Sequence, residues 1–181
     1  MESKKLRVLA LIGMLAAVGY VLQLFEFPLL PAAAFLKFDF GDVAVFIAGS
    51  AMGPAAAVLT AVVKGILWAL VGRGVDGWVG AGMNVITVIA FALPVAFLAL
   101  SRKGWVKVAA AGLGIVVMTV VMAGMNLIVD PWYFKIPVAT VKVLIVTAII
   151  PFNLLRGLIN GAASVGLMFA LQRTAIFKTS R

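Results

Sequence analysis

The sequence predicts an all-α membrane protein of six transmembrane helices with both termini cytoplasmic. Three observations carry that prediction. The chain of 181 residues is 65% hydrophobic and only 12% charged, with a mean hydropathy of +1.21, which leaves too little polar surface to face water. Long apolar stretches recur along its whole length, so one cleaved leader ahead of a soluble domain is excluded. The basic residues gather at alternate segment ends. Residues 1–181 are accordingly read as a single transmembrane domain.

Leu6 to Phe25 forms the first span, long enough at roughly 1.5 Å per residue to cross a hydrocarbon core of about 30 Å. A Phe- and Pro-rich loop, Glu26 to Gly41, follows it. Val43 to Met52 is apolar but short, and Gly53-Pro54 breaks it before Ala55 to Val71, which predicts two helices joined by a tight turn. Val79 to Leu100 and Val108 to Val129 are the clearest spans. Apolar residues then run from Val138 to Leu171, too many for one crossing. With Pro151 inside that run, the last span is placed from about Phe152 to Leu171, and the stretch before it is expected to tilt or project outward.

Charge sets the orientation. Lys4, Lys5, Arg7, Arg102, Lys103, Lys107, Arg173, Lys178 and Arg181 share one side of a six-span chain with Glu2 alone, which marks it as cytoplasmic. The other side holds Lys37, Arg73, Lys135 and Lys142 against Glu26, Asp39, Asp42, Asp76 and Asp130. Trp105 at the inner edge and Trp78 and Trp132 at the outer edge fit aromatic belts. The net charge of +9 is thus a matter of topology and not of nucleic-acid binding. Having neither cysteine nor histidine, the chain offers no thiolate metal site, disulfide or imidazole chemistry.

Against this background Asn84, Asn126, Asn153 and Arg156 stand out, because they interrupt apolar runs on three spans within the outer third of the membrane. An unpaired polar group in hydrocarbon costs several kcal/mol, so they must face one another, water or a ligand. An asparagine offers donors and an acceptor on one edge, which suits a heterocycle with carbonyls and ring nitrogens. Each alone has an ordinary alternative, since Asn can hydrogen-bond a neighbouring helix and Arg can snorkel to the headgroups. Lys64 sits mid-span, with Asp42 at the start of the preceding short helix a candidate partner but expected at another depth; ligand contact, helix glue and subunit contact all stay open. In the first outer loop, Leu36, Lys37, Phe38 and Asp39 alternate apolar and charged character after Pro28 and Pro31, as a lid over the mouth would. Asp42 is expected to cap the helix that follows.

Phe35-Leu36-Lys37-Phe38-Asp39-Phe40, Gly53-Pro54, Met83-Asn84, Asn126 followed by Pro131 and Tyr133, and Pro151-Phe152-Asn153 together resemble the substrate-binding S components of energy-coupling factor (ECF) vitamin transporters. The similarity spans nearly the whole chain and is greatest to the riboflavin-specific branch. It implies a transmembrane substrate-binding domain in the plasma membrane of a bacterium or archaeon. This domain would work with a transmembrane coupling subunit and two cytoplasmic ATPases, carrying riboflavin as transported ligand and no cofactor of its own. The resemblance also implies that Asn126, Asn153 and a polar residue at Arg156 hold the flavin ring. That last position is often Lys in the family, and an Arg fork leaves both riboflavin and its phosphate open. Small residues on the first span, Ala10, Gly13 and Ala17, are implied to dock the coupling subunit.

Two rival classes lack their chemistry. A membrane enzyme using a metal would need acidic residues clustered at the cytoplasmic face, where only Glu2 falls, and a secondary transporter would need a buried carboxylate relay. Another vitamin on the same scaffold, such as pantothenate, remains the alternative ligand. The chain contains no Gly-rich phosphate loop of the G-x-x-x-x-G-K-[ST] type, so it is expected to bind without hydrolysing ATP.

Overall fold

In lipid the backbone must satisfy its own hydrogen bonds, and the apolar runs of this chain do so as helices. The computed structural model describes residues 2–71, 77–98 and 103–171. Arg73, Asp76, Arg102, Arg173, Lys178 and Arg181, used above to orient the chain, and Leu100, the expected end of one span, lie outside them. The helices are α1 (Glu2–Gln23), α2 (Gly41–Met52), α3 (Pro54–Val71), α4 (Gly77–Leu98), α5 (Gly104–Trp132) and α6 (Val138–Leu171). Between α1 and α2 the loop forms a small antiparallel ribbon of β1 (Phe27–Pro28) and β2 (Lys37–Phe38), with Phe27 opposite Phe38.

Five of these helices are long and apolar enough to cross a membrane. The other, α2, has twelve residues, about 18 Å of rise, and ten of the twelve are buried. It packs against α1, α3, α4 and α6 and so lies inside the bundle. Gly53 reverses the chain after α2 with φ at 93°, a conformation that only glycine adopts without strain, and donates its N–H to the Gly49 carbonyl at 2.9 Å. Pro54 then opens α3, where a missing N–H costs nothing.

The core is apolar and built from small contacts as much as large ones. Phe46 of α2 packs against Phe91 of α4 at 5.5 Å between ring centres, within a cluster that includes Val95, Ile115, Met118 and Met168. At Gly157 of α6 a Cβ would lie 2.9 Å from Ile115 and 3.0 Å from Met118, so its absence allows α5 and α6 to meet.

The residues before and after Pro151 form one continuous helix, Val138–Leu171, of 34 residues; at about 51 Å of rise it exceeds the roughly 30 Å hydrocarbon core, so it must tilt or project beyond it. Its ladder widens into a π turn at Ile145–Ile149, where the Ile150 N–H bonds the Ile145 carbonyl. Proline has no N–H to give and its ring collides with the carbonyl four residues back. Widening the turn just before Pro151 relieves that collision without ending the helix. The basic residues Lys4, Lys5, Arg7 and Lys103 lie at one end of the bundle, and the exposed Trp78 and Trp132 at the other, at the start of α4 and the end of α5.

Candidate functional site

At the end of the bundle that carries the β1–β2 ribbon, α4, α5 and α6 part to leave a cavity of about 430 Å³. That is room for a small organic ligand. Helix α4 contributes Gly80, Met83 and Asn84; α5 contributes Met122, Asn126 and Asp130; α6 contributes Leu144, Phe152, Asn153 and Arg156. The loop after α1 adds Phe35, Leu36 and Lys37, and the turn after α5 adds Phe134 and Ile136. That turn folds back because Lys135 takes a left-handed φ of 59° and Ile136 donates its N–H to the Asp130 carbonyl at 3.2 Å.

The asparagines are held by their own helices. Asn126 Nδ2 donates to the Met122 carbonyl and Asn153 Nδ2 to the Ile149 carbonyl, each at 2.8 Å and one turn back. One amide N–H is thereby used and the other edge is left for the cavity. Asn153 Oδ1 and Asn84 Oδ1 are buried with no partner among the described residues. Orphaned acceptors of this kind cost free energy unless something donates to them, and in a ligand-sized cavity they are ready-made contacts.

Behind the cavity lies a buried group of charges. Arg156 forks onto Asp42, Nε to Oδ2 at 2.8 Å and Nη2 to Oδ1 at 3.0 Å. Lys64 Nζ is 3.3 Å from Asp42 Oδ1. Asp39 Oδ2 lies 3.9 Å from Arg156 Nη2. Asn160 Nδ2 donates to the Asp39 carbonyl at 3.0 Å and approaches Asp42 Oδ2 at 3.3 Å. The cluster joins the loop, α2, α3 and α6, and only mutual pairing makes such burial tolerable. Burial pushes the Asp39 carboxyl up; Lys64 and Arg156 pull it down, and Asp42 adds to the rise.

Of the residues expected at a site, Leu36, Lys37, Asn84, Asn126, Asn153 and Arg156 meet around this cavity. Lys37 is also paired with Glu26 across the ribbon at 2.6 Å. Phe38 and Asp39 do not line it. Phe38 is 1% exposed, wedged edge-on between Phe27 and Phe40. Asp39 turns inward and accepts the Gly41 N–H at 2.7 Å. The alternation along β2 sends neighbouring side chains to opposite faces, so Lys37 and Phe38 cannot share a side.

Asp42 is not a helix cap. Phe40 holds that position without a side-chain bond, and Asp42 spends its acceptors on Arg156, Lys64 and Asn160. Lys64 lies outside the cavity lining, and its partner is the Asp42 that was expected to lie at another depth. The hairpin explains this. Asp42 is ten residues before the end of α2 and Lys64 ten residues after the start of α3, so both stand roughly 15 Å from the Gly53 turn. Gly19 and Gly41 leave room for the lysine, since a Cβ on either would come within 3.2 Å of it.

Asp130, Phe134, Ile136 and the methionines Met83 and Met122 were missed as lining residues. An acid one step before Pro131 at the end of an apolar run was the available signal for Asp130; the apolar ones carry none. On α1, Ala10, Gly13 and Ala17 share an exposed face, whereas Ala16 is buried.

The fold has counterparts among known proteins. Residues 7–168 match the family model of the ECF transporter substrate-specific component. Riboflavin transporter FmnP of Bacillus subtilis is 30% identical over 165 residues, covering 86% of this chain and 86% of its own. Riboflavin transporter RibU of Staphylococcus aureus is 34% identical over 156 residues, covering 82% and 81%. The solved S component of a bacterial ECF transporter superposes with a TM-score of 0.77 at 27% identity, over 92% of this chain and 96% of that one. The S component for biotin from an ECF-type ABC transporter shares the fold, with a TM-score of 0.64 at 14% identity over 100% of this chain and 99% of that one.

Proposed function

The chain belongs to the substrate-specific components of ECF transporters, and from that premise we propose that it captures riboflavin at the outer face of the cell membrane for uptake driven by partner subunits. The observation that carries the reading is the meeting of amides from three helices, Asn84, Asn126 and Asn153, beside Arg156 in one ligand-sized cavity. Two of those amides present unpartnered carbonyl oxygens. A flavin ring edge alternates carbonyls with a ring N–H, so it needs both acceptors and donors from the wall. The asparagines supply both, and Arg156 supplies donors from Nη1, since its bonds among the described residues use Nε and Nη2. Phe35, Phe152, Met83 and Met122 give apolar surface for the planar ring.

In this reading residues 1–181 act as one transmembrane substrate-binding domain with cytoplasmic termini, and Phe35, Leu36 and Lys37 close the mouth. The protein binds without chemistry. Riboflavin is cargo and no prosthetic group is required. Energy comes from ATP hydrolysed by two cytoplasmic subunits, passed on by a transmembrane coupling subunit seated on the Ala10, Gly13 and Ala17 face of α1, where small residues permit close helix approach.

The test is the visible absorption spectrum of the detergent-purified protein after riboflavin is added and the sample desalted. About one flavin should be retained per chain and lost on Asn126→Ala and Asn153→Ala. Folded protein that retains none would transfer the assignment to another vitamin on the same scaffold.

A further inference from the structure

Arg156 belongs both to the cavity wall and to the charge cluster behind it. Its fork is already occupied by Asp42, and Lys64 leans on the same carboxylate. The other charged lining residues among those described are Lys37, which is held by Glu26, and Asp130. An anionic group entering the cavity therefore meets cations that already have carboxylate partners.

Resting on the flavin reading, we infer that Asp42 is a positioning and specificity residue. It clamps the Arg156 guanidinium so that Nη1 addresses the ligand, and it cancels the charge that would otherwise draw a phosphate. The cavity takes the neutral vitamin in preference to its phosphate ester. Lys64 takes part without touching the ligand, since it is 0% exposed and lies outside the lining. It offsets the same carboxylate from the far side.

The two inner residues thus have opposite leverage on an anion. Replacing Asp42 by a neutral residue leaves the cluster one charge more positive, and replacing Lys64 leaves it one charge more negative. At a separation of about 10 Å and an effective dielectric of about 20, one unit charge alters the binding of a charged group by on the order of tenfold. Asp39 sits in the same cluster and its ionisation answers to both Asp42 and Lys64, so each substitution is also made in an Asp39→Asn background, where the charge introduced is the only one that changes.

The experiment measures dissociation constants for riboflavin and for riboflavin 5′-phosphate by quenching of flavin fluorescence, on wild type, Asp42→Asn and Lys64→Met in detergent. The ratio of phosphate-ester to riboflavin constants should fall by about tenfold in Asp42→Asn and rise by about tenfold in Lys64→Met. This holds whichever way the absolute affinities move. Equal weakening of both ligands with an unchanged ratio is what damaged packing would give, and it overturns the inference. Should either variant not fold, the other decides alone: a ratio moved in its stated direction supports the charge argument and a fixed ratio refutes it. Wild type that binds neither flavin removes the flavin reading and this inference with it, whereas riboflavin binding with an immovable ratio removes this inference alone.

Discussion

Helices α1 and α2 lie against each other and are both apolar, yet only one of them looks outward. In α1 just 22% of the spanning window is buried, and Leu6, Leu9, Met14 and Val18 are all exposed. In α2 ten of twelve residues are buried, and its first turn holds a carboxylate at 0% exposure. In water an exposed apolar face would be a liability, but against lipid it is the ordinary surface of a spanning helix. Apolarity alone therefore does not tell a lipid-facing helix from one enclosed by protein. Length and the placement of a single acid do.

Four measurements would break or sharpen that contrast, all read as shifts in thermal unfolding of the detergent-solubilised protein. The largest effect belongs to Asp42→Ala, which leaves Arg156 and Lys64 buried beside too little negative charge; a loss of about 4 kcal/mol is expected. A wild-type midpoint would mean that the cluster does not hold α2 in place. Next comes Phe46→Ala, which removes a fully buried ring from its contact with Phe91 and should cost about 3 kcal/mol. At the seam between the two helices, Gly19→Val places new atoms where a Cβ alone would lie 3.0 Å from the Gly41 carbonyl oxygen. About 2 kcal/mol of overpacking should follow, and no change would show that α1 can shift freely along α2. The smallest effect is on the outward face: Met14 is 64% exposed, and Met14→Ala should stay within about 0.5 kcal/mol. A larger loss there would mean that this face is covered by protein even in the isolated chain.

Much of the architecture was legible because membrane helices announce themselves by composition, and the Gly53-Pro54 break and the loop boundaries follow from backbone chemistry. The polar members of the cavity wall were legible for a similar reason, since Asn84, Asn126, Asn153 and Arg156 are conspicuous in apolar runs. What the sequence reading lost was depth and facing. Asp42 was taken for a cap because its position in front of an apolar run is where caps occur. Counting eleven residues on each side of Gly53 puts it level with Lys64. Reading the loop as one surface puts Phe38 and Asp39 at the cavity with Leu36 and Lys37, whereas Phe38 packs between Phe27 and Phe40 and Asp39 is turned inward onto the Gly41 N–H. The methionine and phenylalanine lining was invisible, since nothing distinguishes an apolar residue that faces a cavity from one that faces lipid.

The π turn in α6 has a consequence for how this wall is aimed. Each residue of an α-helix advances the side-chain direction by about 100°, so the one residue absorbed at Ile145–Ile149 resets the angular phase of everything beyond Pro151 by about that much. In a regular helix Leu144 and Arg156, twelve residues apart, would point roughly 120° away from each other. Here both face the cavity. The helix is in effect indexed like a two-part key, with an upper and a lower set of teeth cut at a fixed offset. Regular winding with all five residues of 145–149 kept would swing Asn153 and Arg156 together by about 100° relative to Leu144, whereas deleting one of them would remove the π turn and leave the two sets aligned as they are. A scaffold with such an index can present a different polar edge to its cavity without exchanging any side chain on that edge.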